Sequence, residues 1–260
     1  MRVKGRLVAP ILILSVLSLG GCAKDRRLAP PPDSENVQIT VKVPDQLQAQ
    51  TVEAIYRSKT CQRLRGNGNG EYVKVQGYNR MEIEPKRRGD TDLYDAYVPM
   101  DGGGACNWHL SSAEFGVVYA NPRAFGDDVT FGYGGGVEVY FDPATSQLGM
   151  PSRESNGDIN LIENYYPWLS ETFLGGYRKR VNMFNGWGVR IGYLAPTARK
   201  IYFEPVLHSD IVVRSAHPKV KKKGNYPVFT YSDGSVIADA RTEPDFRRLQ
   251  AIRLKLEANK

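Results

Sequence analysis

Histidine, serine and aspartate are the residues of this chain that could support hydrolytic chemistry. The three histidines are His109, His208 and His217. None of them belongs to an HExxH pattern, which would place two zinc ligands on one face of a helix with a base between them. The sequence also has no Gly-x-Ser-x-Gly elbow, the turn that exposes a nucleophilic serine in many hydrolases.

One short segment, His208–Asp210, contains all three residue types of a serine hydrolase, but only as neighbours in sequence. Successive residues of a strand point to opposite faces, so His208 and Asp210 could share a face that Ser209 does not. We therefore favour a structural or interface role for this segment. The chain is predicted not to be an enzyme, with no catalytic residue, no metal site and no cofactor.

Cys22 is the cysteine with the most informative surroundings. The chain begins with three basic residues, continues with thirteen mostly apolar residues at 7–19, and reaches Cys22 through the sequence Leu-Gly-Gly-Cys. An apolar run of this length is too short to span a bilayer and is typical of a signal peptide. Its end resembles the lipobox of bacterial lipoproteins, where a signal peptidase cuts before a cysteine that then carries acyl chains.

The leader predicts both processing and location. We expect residues 1–21 to be a lipoprotein signal peptide and Cys22 to be lipidated. Ala23 is not the aspartate that favours retention in the inner membrane in the lipoproteins it resembles, so we expect a lipid-anchored protein on the periplasmic side of the outer membrane. A plain secretory signal, with Cys22 incidental, is the alternative.

The other two cysteines, Cys61 and Cys106, would then lie in an oxidising compartment. An even pair in such a compartment is more often a disulfide than a metal site or a nucleophile. We predict a Cys61–Cys106 disulfide. Two free buried thiols remain the alternative, because a sequence does not show that two residues approach each other.

Residues 22–36 are predicted to be the lipid anchor and a proline-rich tether. Three consecutive prolines, Pro30 to Pro32, favour extended polyproline II, and the segment has no apolar periodicity. Such a tether would hold the body roughly 20 to 45 Å from the membrane.

The body of the chain has mainly strand signals. Residues 37–43 alternate strictly between apolar and polar side chains, which indicates a half-buried strand. Turn signals rich in glycine recur along the chain, and the glycine clusters at 101–104 and 131–136 lack the lysine and the helix context of a phosphate-binding loop. We predict a mainly β fold made of antiparallel, immunoglobulin-like β-sandwich lobes.

The domain boundaries follow from composition. We predict one β-sandwich lobe with the disulfide over residues 37–142, and a second β-rich lobe over residues 143–260, because a polar loop begins near Asp142. One continuous large sandwich is the alternative. The second lobe should end in an α-helix, since Phe246, Leu249, Ile252 and Leu256 recur at three- or four-residue intervals after a start signal at 242–245.

Charge points to binding and away from nucleic acid. The full chain carries +7, and removing residues 1–21, which hold three basic and no acidic residues, leaves +4. This charge is too small for a nucleic-acid surface and is compatible with an acidic protein or an anionic membrane. A basic patch is predicted at Arg214, Lys219, Lys221, Lys222 and Lys223, for which a solvated loop is the alternative.

Aromatic and arginine side chains in glycine-rich segments are candidates for contact with a protein partner, because such side chains dominate binding energy at interfaces. The candidate partner-binding residues are Tyr133, Tyr177, Arg178 and Trp187.

Three segments carry a resemblance to a known family: Gly-Gly-Gly-Ala-Cys-Asn-Trp-His-Leu-Ser at 102–111, Phe-Gly-Tyr-Gly-Gly-Gly-Val at 131–137, and Tyr-Phe-Glu-Pro-Val-Leu-His-Ser-Asp at 202–210. They resemble uncharacterised lipoproteins of enterobacteria and pseudomonads, a group that includes immunity proteins against phospholipase D-type effectors of type VI secretion. The resemblance implies that the chain binds and neutralises such a phospholipase, without identifying contact residues.

The expected partners are therefore a protein, with a toxin phospholipase as the first hypothesis, and the membrane through the N-terminal acyl chains. No nucleic-acid partner is expected, and the oligomeric state is left open. The alternative function is a structural or assembly lipoprotein that acts as a protein-binding scaffold of the envelope.

Overall fold

The computed structural model describes residues 24–146 and 152–259. The predicted signal peptide and Cys22 lie outside these ranges. Strands account for 51% of the chain and helices for 8%, so the prediction of a mainly β fold is confirmed. Within the described ranges, no helix is long and apolar enough to cross a membrane.

In the described part of the chain, ten strands precede residue 142. In chain order they are β1 (Asn36–Lys42), β2 (Leu47–Ala49), β3 (Val52–Gly66), β4 (Tyr72–Ile83), β5 (Lys86–Arg87), β6 (Leu93–Pro99), β7 (Asp101–Gly103), β8 (Trp108–Tyr119), β9 (Val129–Phe131) and β10 (Gly135–Tyr140).

The later strands are β11 (Ser152–Glu154), β12 (Ile159–Thr172), β13 (Arg178–Phe184), β14 (Arg190–Leu194), β15 (Lys200–Leu207), β16 (Val213–Ala216), β17 (Val228–Thr230) and β18 (Val236–Ala238). A 3₁₀-helix covers Pro122–Phe125. The α-helices are α1 (Pro143–Ser146) and α2 (Phe246–Glu257).

The strands form two sheets. The larger sheet follows the order β18-β17-β16-β12-β15-β1-β6-β5, with β13 paired to β12 and β9 paired to β13. The smaller sheet follows the order β11-β14-β10-β8-β3-β4, with β2 and β7 both paired to β8.

Both sheets mix strand directions, so the prediction of antiparallel pairing throughout is wrong. Six pairs are parallel, namely β1–β15, β12–β15, β12–β16, β9–β13, β10–β14 and β11–β14. The alternation of apolar and polar side chains along a strand indicates which face is buried. It does not indicate the direction of a paired strand that comes from a distant part of the sequence. The partners of β1 show this, because Gln38 pairs with Lys200 in β15.

The predicted boundary near residue 142 does not coincide with a division between the sheets. β1 and β6, from the first half of the chain, lie in the larger sheet beside β15 and β12. β11 and β14, from the second half, join the smaller sheet beside β10. Each sheet therefore needs strands from both halves.

The main core lies between the two sheets. Phe115 of β8 meets Phe203 of β15 edge to face, with ring centroids 6.2 Å apart, and Tyr165 of β12 meets Phe203 at 6.3 Å. Ile39 and Val41 of β1 are buried in the same cluster, which confirms the strand predicted from their alternation. Burial of each large apolar side chain contributes roughly 1.5 to 3 kcal/mol to folding.

A second core lies on the opposite face of the larger sheet. Neighbouring residues of β12 separate into the two cores, with Tyr165 in the main core and Tyr166 in the second. Trp168 and Phe229 extend the second core, in which their rings are 6.4 Å apart. Since adjacent strand residues point to opposite faces, β12 forms a wall between the cores.

Helix α2 closes the second core, as the predicted C-terminal helix should. Asp245 is its N-cap residue and accepts a hydrogen bond from Arg248 N, which confirms the predicted start. Leu249 and Ile252 are buried against the sheet. Leu256, which was expected on the same buried stripe, is 47% exposed in the last turn of the helix.

Cys61 and Cys106 form the predicted disulfide, with their Cα atoms 5.3 Å apart. The bond joins β3 to the turn before β8. The register between β3 and β4 shifts here, between Ser58 and Arg63. Ser58 Oγ accepts a hydrogen bond from Cys61 N at 2.9 Å. The disulfide therefore fixes an irregular part of the hairpin to the core.

The segment before β1 is hydrogen-bonded to the body. Ala29 N donates to Gly102 O at 2.9 Å, and Arg26 O accepts from Trp108 Nε1 at 3.1 Å. The side chain of Leu28 packs against the main core.

From Asp25 onward the chain is thus a docked segment and not the free tether predicted for residues 22–36. The three prolines lack N–H donors, but the residues before them supply the donors, acceptors and apolar contact that attach the segment.

Loss of the disulfide should destabilise the fold. The bridge closes a loop with a sequence separation of 45, which corresponds to about 4 kcal/mol of lost unfolded-state freedom. The Cys61→Ala/Cys106→Ala variant should therefore unfold at lower denaturant, with its free energy of unfolding reduced by about 2 to 4 kcal/mol. Equal denaturation curves for the oxidised protein and the variant would contradict a stabilising role.

Gly103→Ala should release the docked segment. Gly103 has φ of +55°, and a Cβ there would lie 2.2 Å from the Ala29 carbonyl oxygen. Gly89→Ala is a matched control, because Gly89 has φ of +54° and nothing within 4 Å of its Cβ position. Trypsin should cleave the Gly103 variant faster at Arg26 and leave the control unchanged; equal rates would show that the contact does not restrain the segment.

Candidate functional site

The most distinctive surface is a cavity of about 430 Å³ beside the turn that joins β12 to β13. We call it the basic cavity. Its residues come from this turn and from the segment that follows β16. They are Thr172, Phe173, Leu174, Arg178, His217, Pro218, Val220, Lys221, Lys222, Asn225 and Pro227.

Local structure brings the two segments together. The β12–β13 hairpin pairs Thr172 with Arg178, and Gly175 and Gly176 have positive φ of +77° and +104° in the turn between them. These angles suit glycine and close the hairpin tightly. His217 N donates to Glu171 O at 2.9 Å, which fixes the second segment beside the end of β12.

The charges of the cavity are unbalanced. Among the described residues, Arg178, Lys221 and Lys222 form no ion pair. Lys219 lies at the edge, with its Nζ 5.2 Å from the centroid of the Phe173 ring. The result is a positive field that attracts an acidic ligand.

Apolar side chains accompany these cations. Val220 is 63% exposed, and Leu174 and Tyr177 are also exposed. The rings of Phe173 and Tyr177 lie 5.6 Å apart. Arginine and aromatic side chains are enriched at protein interfaces, so Arg178 together with Phe173 and Tyr177 suits a protein-binding site.

Tyr177 is fixed in position by its neighbours. Its hydroxyl donates to Asp128 Oδ2 at 3.1 Å, and Lys179 Nζ donates to Asp128 Oδ1 at 3.2 Å. The Lys179 hydrogen bond, with that of Tyr177, holds the pKa of Asp128 below its usual range. A side chain already ordered in the free protein loses less entropy when a partner binds.

The residues predicted as sites separate into three groups. Arg178, Lys221 and Lys222 line the basic cavity, which joins one predicted contact residue to the predicted basic patch. Tyr177 and Lys219 contact Phe173 at its edge. The remaining predicted residues do not line it: Arg214, Lys223, Tyr133 and Trp187.

Two of these remaining residues are engaged elsewhere. Tyr133 packs edge to face against Trp168, 6.1 Å away, beside the second core, and burial raises the pKa of its hydroxyl. Trp187 is 54% exposed, with the Arg153 guanidinium 4.1 Å from its ring centroid.

The sequence reasoning missed the apolar part of the cavity. Phe173 and Leu174 precede the glycine pair of the turn, and Val220 lies within the lysine run. An apolar residue beside turn glycines or inside a charged segment is the signal that could have identified them, because such positions are exposed.

His208 has a structural environment. Its Nε2 lies 2.7 Å from Asn164 Oδ1, so Nε2 carries the proton, and its ring stacks on Tyr166 at 5.0 Å. Burial, followed by the nearby Arg253 charge, lowers its pKa. Among the residues that the structure describes, no three His, Cys, Asp or Glu side chains are grouped so as to hold a metal ion.

Comparisons with protein-family models, with curated proteins and with solved structures found no match to this chain.

Protonation of His208 should weaken the fold at mildly acidic pH. The pKa of His208 is lower in the folded protein than in the unfolded chain, so the unfolded chain binds more protons. The free energy of unfolding therefore falls as the pH drops through the ordinary histidine range, near 6.5. His208→Gln keeps a donor for Asn164 but does not titrate. Denaturation from pH about 7.5 to about 5.5 should show a steeper loss for the wild type; parallel curves would assign the pH dependence to other groups.

Proposed function

We propose that this protein is a lipid-anchored periplasmic binding protein that neutralises a phospholipase effector of type VI secretion by binding it. The basic cavity is the observation that carries the binding part of this proposal. It combines three cations without ion pairs in the described part of the chain with exposed apolar side chains. Binding through such a surface needs no catalytic group.

The scaffold suits this role. We infer that the two packed sheets act as a mixed β-sandwich that keeps the cavity rigid. Both segments of the cavity are attached to β12, through the β13 hairpin on one side and through the His217–Glu171 hydrogen bond on the other. Rigid loops on a stable scaffold bind with a smaller entropic cost than flexible ones.

The expected partner surface is acidic with an apolar centre. Carboxylates would pair with Arg178, Lys221 and Lys222, while Leu174 and Val220 would be covered by apolar side chains of the partner. Charge complementarity raises the association rate, and a few buried anchors determine the affinity.

Two parts of the proposal rest on sequence. Lipidation rests on the leader that ends at Cys22, and the phospholipase rests on the resemblance carried by residues 102–111, 131–137 and 202–210. The last segment includes Phe203 of the main core, so it relates to architecture and not to partner contact.

An envelope scaffold is the second candidate. A separate cavity of about 780 Å³ lies beside α2, between Asp233, Arg248 and the exposed Leu256. Two distinct surfaces on one chain would allow it to connect two proteins.

Capture of a partner tests the proposal. The full chain, purified and immobilised, is exposed to secreted and periplasmic proteins and washed, and the retained proteins are identified. We expect a phospholipase whose activity falls when it is mixed with the chain. Recovery of resident envelope proteins alone, with no inhibition of any phospholipase, would favour the scaffold.

The cavity itself is tested by charge reversal. Lys221→Glu/Lys222→Glu should weaken binding of the captured phospholipase by roughly 10-fold or more, mostly through slower association at low salt. Lys86→Glu/Arg247→Glu, which reverses two exposed cations elsewhere, controls for the same change in net charge. Equal weakening by both variants would show that the cavity is not the contact surface.

A further inference from the structure

A second cluster of cations lies far from the basic cavity in sequence, on the β3–β4 hairpin. Arg57, Arg63 and Arg65 line a cavity of about 330 Å³, together with Val75, Gln76, Asp142 and Ala144. We call it the arginine cavity. It differs from the basic cavity because all three of its cations are arginines held by one hairpin.

Within the ranges that the structure describes, the charge of these arginines is only partly offset, by Asp142 near Arg57. None of the three guanidinium groups forms an ion pair with a described carboxylate. Asp142 is the carboxylate that lines the cavity, and its Oδ1 accepts a hydrogen bond from Ala144 N at 3.0 Å. One carboxylate against three guanidinium groups leaves the cavity positive.

Two of the three arginines lie near one aromatic ring. The guanidinium carbons of Arg57 and Arg63 lie 5.2 and 5.6 Å from the centroid of the Tyr78 ring. Burial, followed by the Arg63 charge, lowers the pKa of Arg57. Guanidinium groups that converge on one space suit a tetrahedral, multiply charged oxyanion such as phosphate, which accepts paired hydrogen bonds from each.

Beyond Arg57 the hairpin is a two-stranded ribbon, which carries Arg63 and Arg65. β3 pairs with β8 only as far as Arg57, whereas its pairing with β4 continues to Gly66 and Tyr72. Apolar side chains are exposed on both faces of this ribbon. Val73, which pairs with Arg65 on the cavity face, is 44% exposed, and Leu64 and Tyr72 on the opposite face are 64% and 74% exposed. A ribbon with exposed apolar and basic side chains has the composition of segments that enter the headgroup region of a membrane.

The start of the described chain is close to the base of this ribbon. Cys106 Sγ lies 3.4 Å from Asp25 O, and Cys106 is bonded to Cys61 of β3. Asp25 is three positions after Cys22, so the chain between them spans at most about 11 Å. An acyl chain on Cys22 would therefore bring the hairpin to the bilayer surface.

We propose that the β3–β4 hairpin is a membrane-docking surface, in which the arginine cavity binds the phosphate of an anionic phospholipid headgroup and Leu64 and Tyr72 enter the interface. This proposal rests on the proposed function in one respect, because the lipid on Cys22 would orient the hairpin towards the bilayer. The phosphate contact itself requires only the arginines. A phospholipid is favoured over free phosphate because Val73 is exposed on the same face of the ribbon as Arg63 and Arg65. Leu64 and Tyr72 are exposed on the opposite face of the same ribbon, so apolar surface is available on both faces of a ribbon that enters the interface.

A tryptophan at the ribbon tests this directly. The full chain carrying Tyr72→Trp is reconstituted with vesicles of phosphatidylglycerol or phosphatidylcholine whose acyl chains are brominated, since bromine quenches a tryptophan that enters the bilayer. We expect quenching in phosphatidylglycerol and much less in phosphatidylcholine. Tyr97→Trp, on the exposed face of the larger sheet, should not be quenched.

The cavity is tested by adding Arg63→Gln and Arg65→Gln to the Tyr72→Trp chain. Each basic residue near an anionic surface raises the affinity roughly 5-fold, so the added substitutions should remove most of the quenching. Lys86→Gln/Arg247→Gln removes two exposed cations elsewhere and should leave it unchanged.

Two outcomes would overturn the proposal. One is quenching that survives loss of Arg63 and Arg65 or is absent from both lipids. The other is a combination of two results: the emission of Tyr72→Trp changes when inorganic phosphate is added, but brominated lipid does not quench it. That combination would assign the cavity to a free anion. The mass of the purified chain reports acylation separately, so failure of the anchor is distinguished from failure of the docking surface.

Discussion

The strand β12 is the element on which the rest of the fold depends. Its first half pairs with β15 from Ile159 to Tyr165, and its second half pairs with β16 from Trp168 and with β13 on the other side. Pro167, which has no N–H to donate, falls between the ends of the two parallel ladders, where its missing donor costs least. β12 thus pairs with β15 along its first half and with β13 and β16 along its second half. It also separates the two cores, and it ends at the basic cavity.

The docked N-terminal segment places a further constraint on the molecule. A free tether of fifteen residues would let the body rotate over the membrane, so that any surface could face it. Because Asp25 already lies against Cys106, a lipid on Cys22 would hold one end of the protein near the bilayer. Orientation would then depend on hydrogen bonds of the segment, such as those of Ala29 and Arg26, and not on linker length.

Local features of the fold were predictable from the sequence, and long-range features were not. The alternation around Ile39 and the cap at Asp245 act over a few residues, so the sequence contains their cause. The disulfide followed from the expected compartment and the cysteine count. Parallel pairing of β1 with β15 depends on contacts between segments that are far apart in sequence. The periodicity of either segment does not identify its partner strand. For the same reason Arg178 and Lys221 were identified separately, but their meeting in one cavity required the β12–β13 turn.

The two positive cavities differ in a way that bears on what each can bind. The basic cavity combines two lysines and one arginine with exposed apolar side chains, and lysine is a flexible point charge that tolerates carboxylates in many geometries. The arginine cavity holds three planar guanidinium groups, two of them beside Tyr78, and such groups impose direction on their hydrogen bonds. A variable protein surface fits the first arrangement, and a phosphate of fixed geometry fits the second. One chain of modest net charge can therefore offer one surface suited to a protein and another suited to a membrane. Its lysine-rich and arginine-rich cavities differ in chemistry and lie in different parts of the chain.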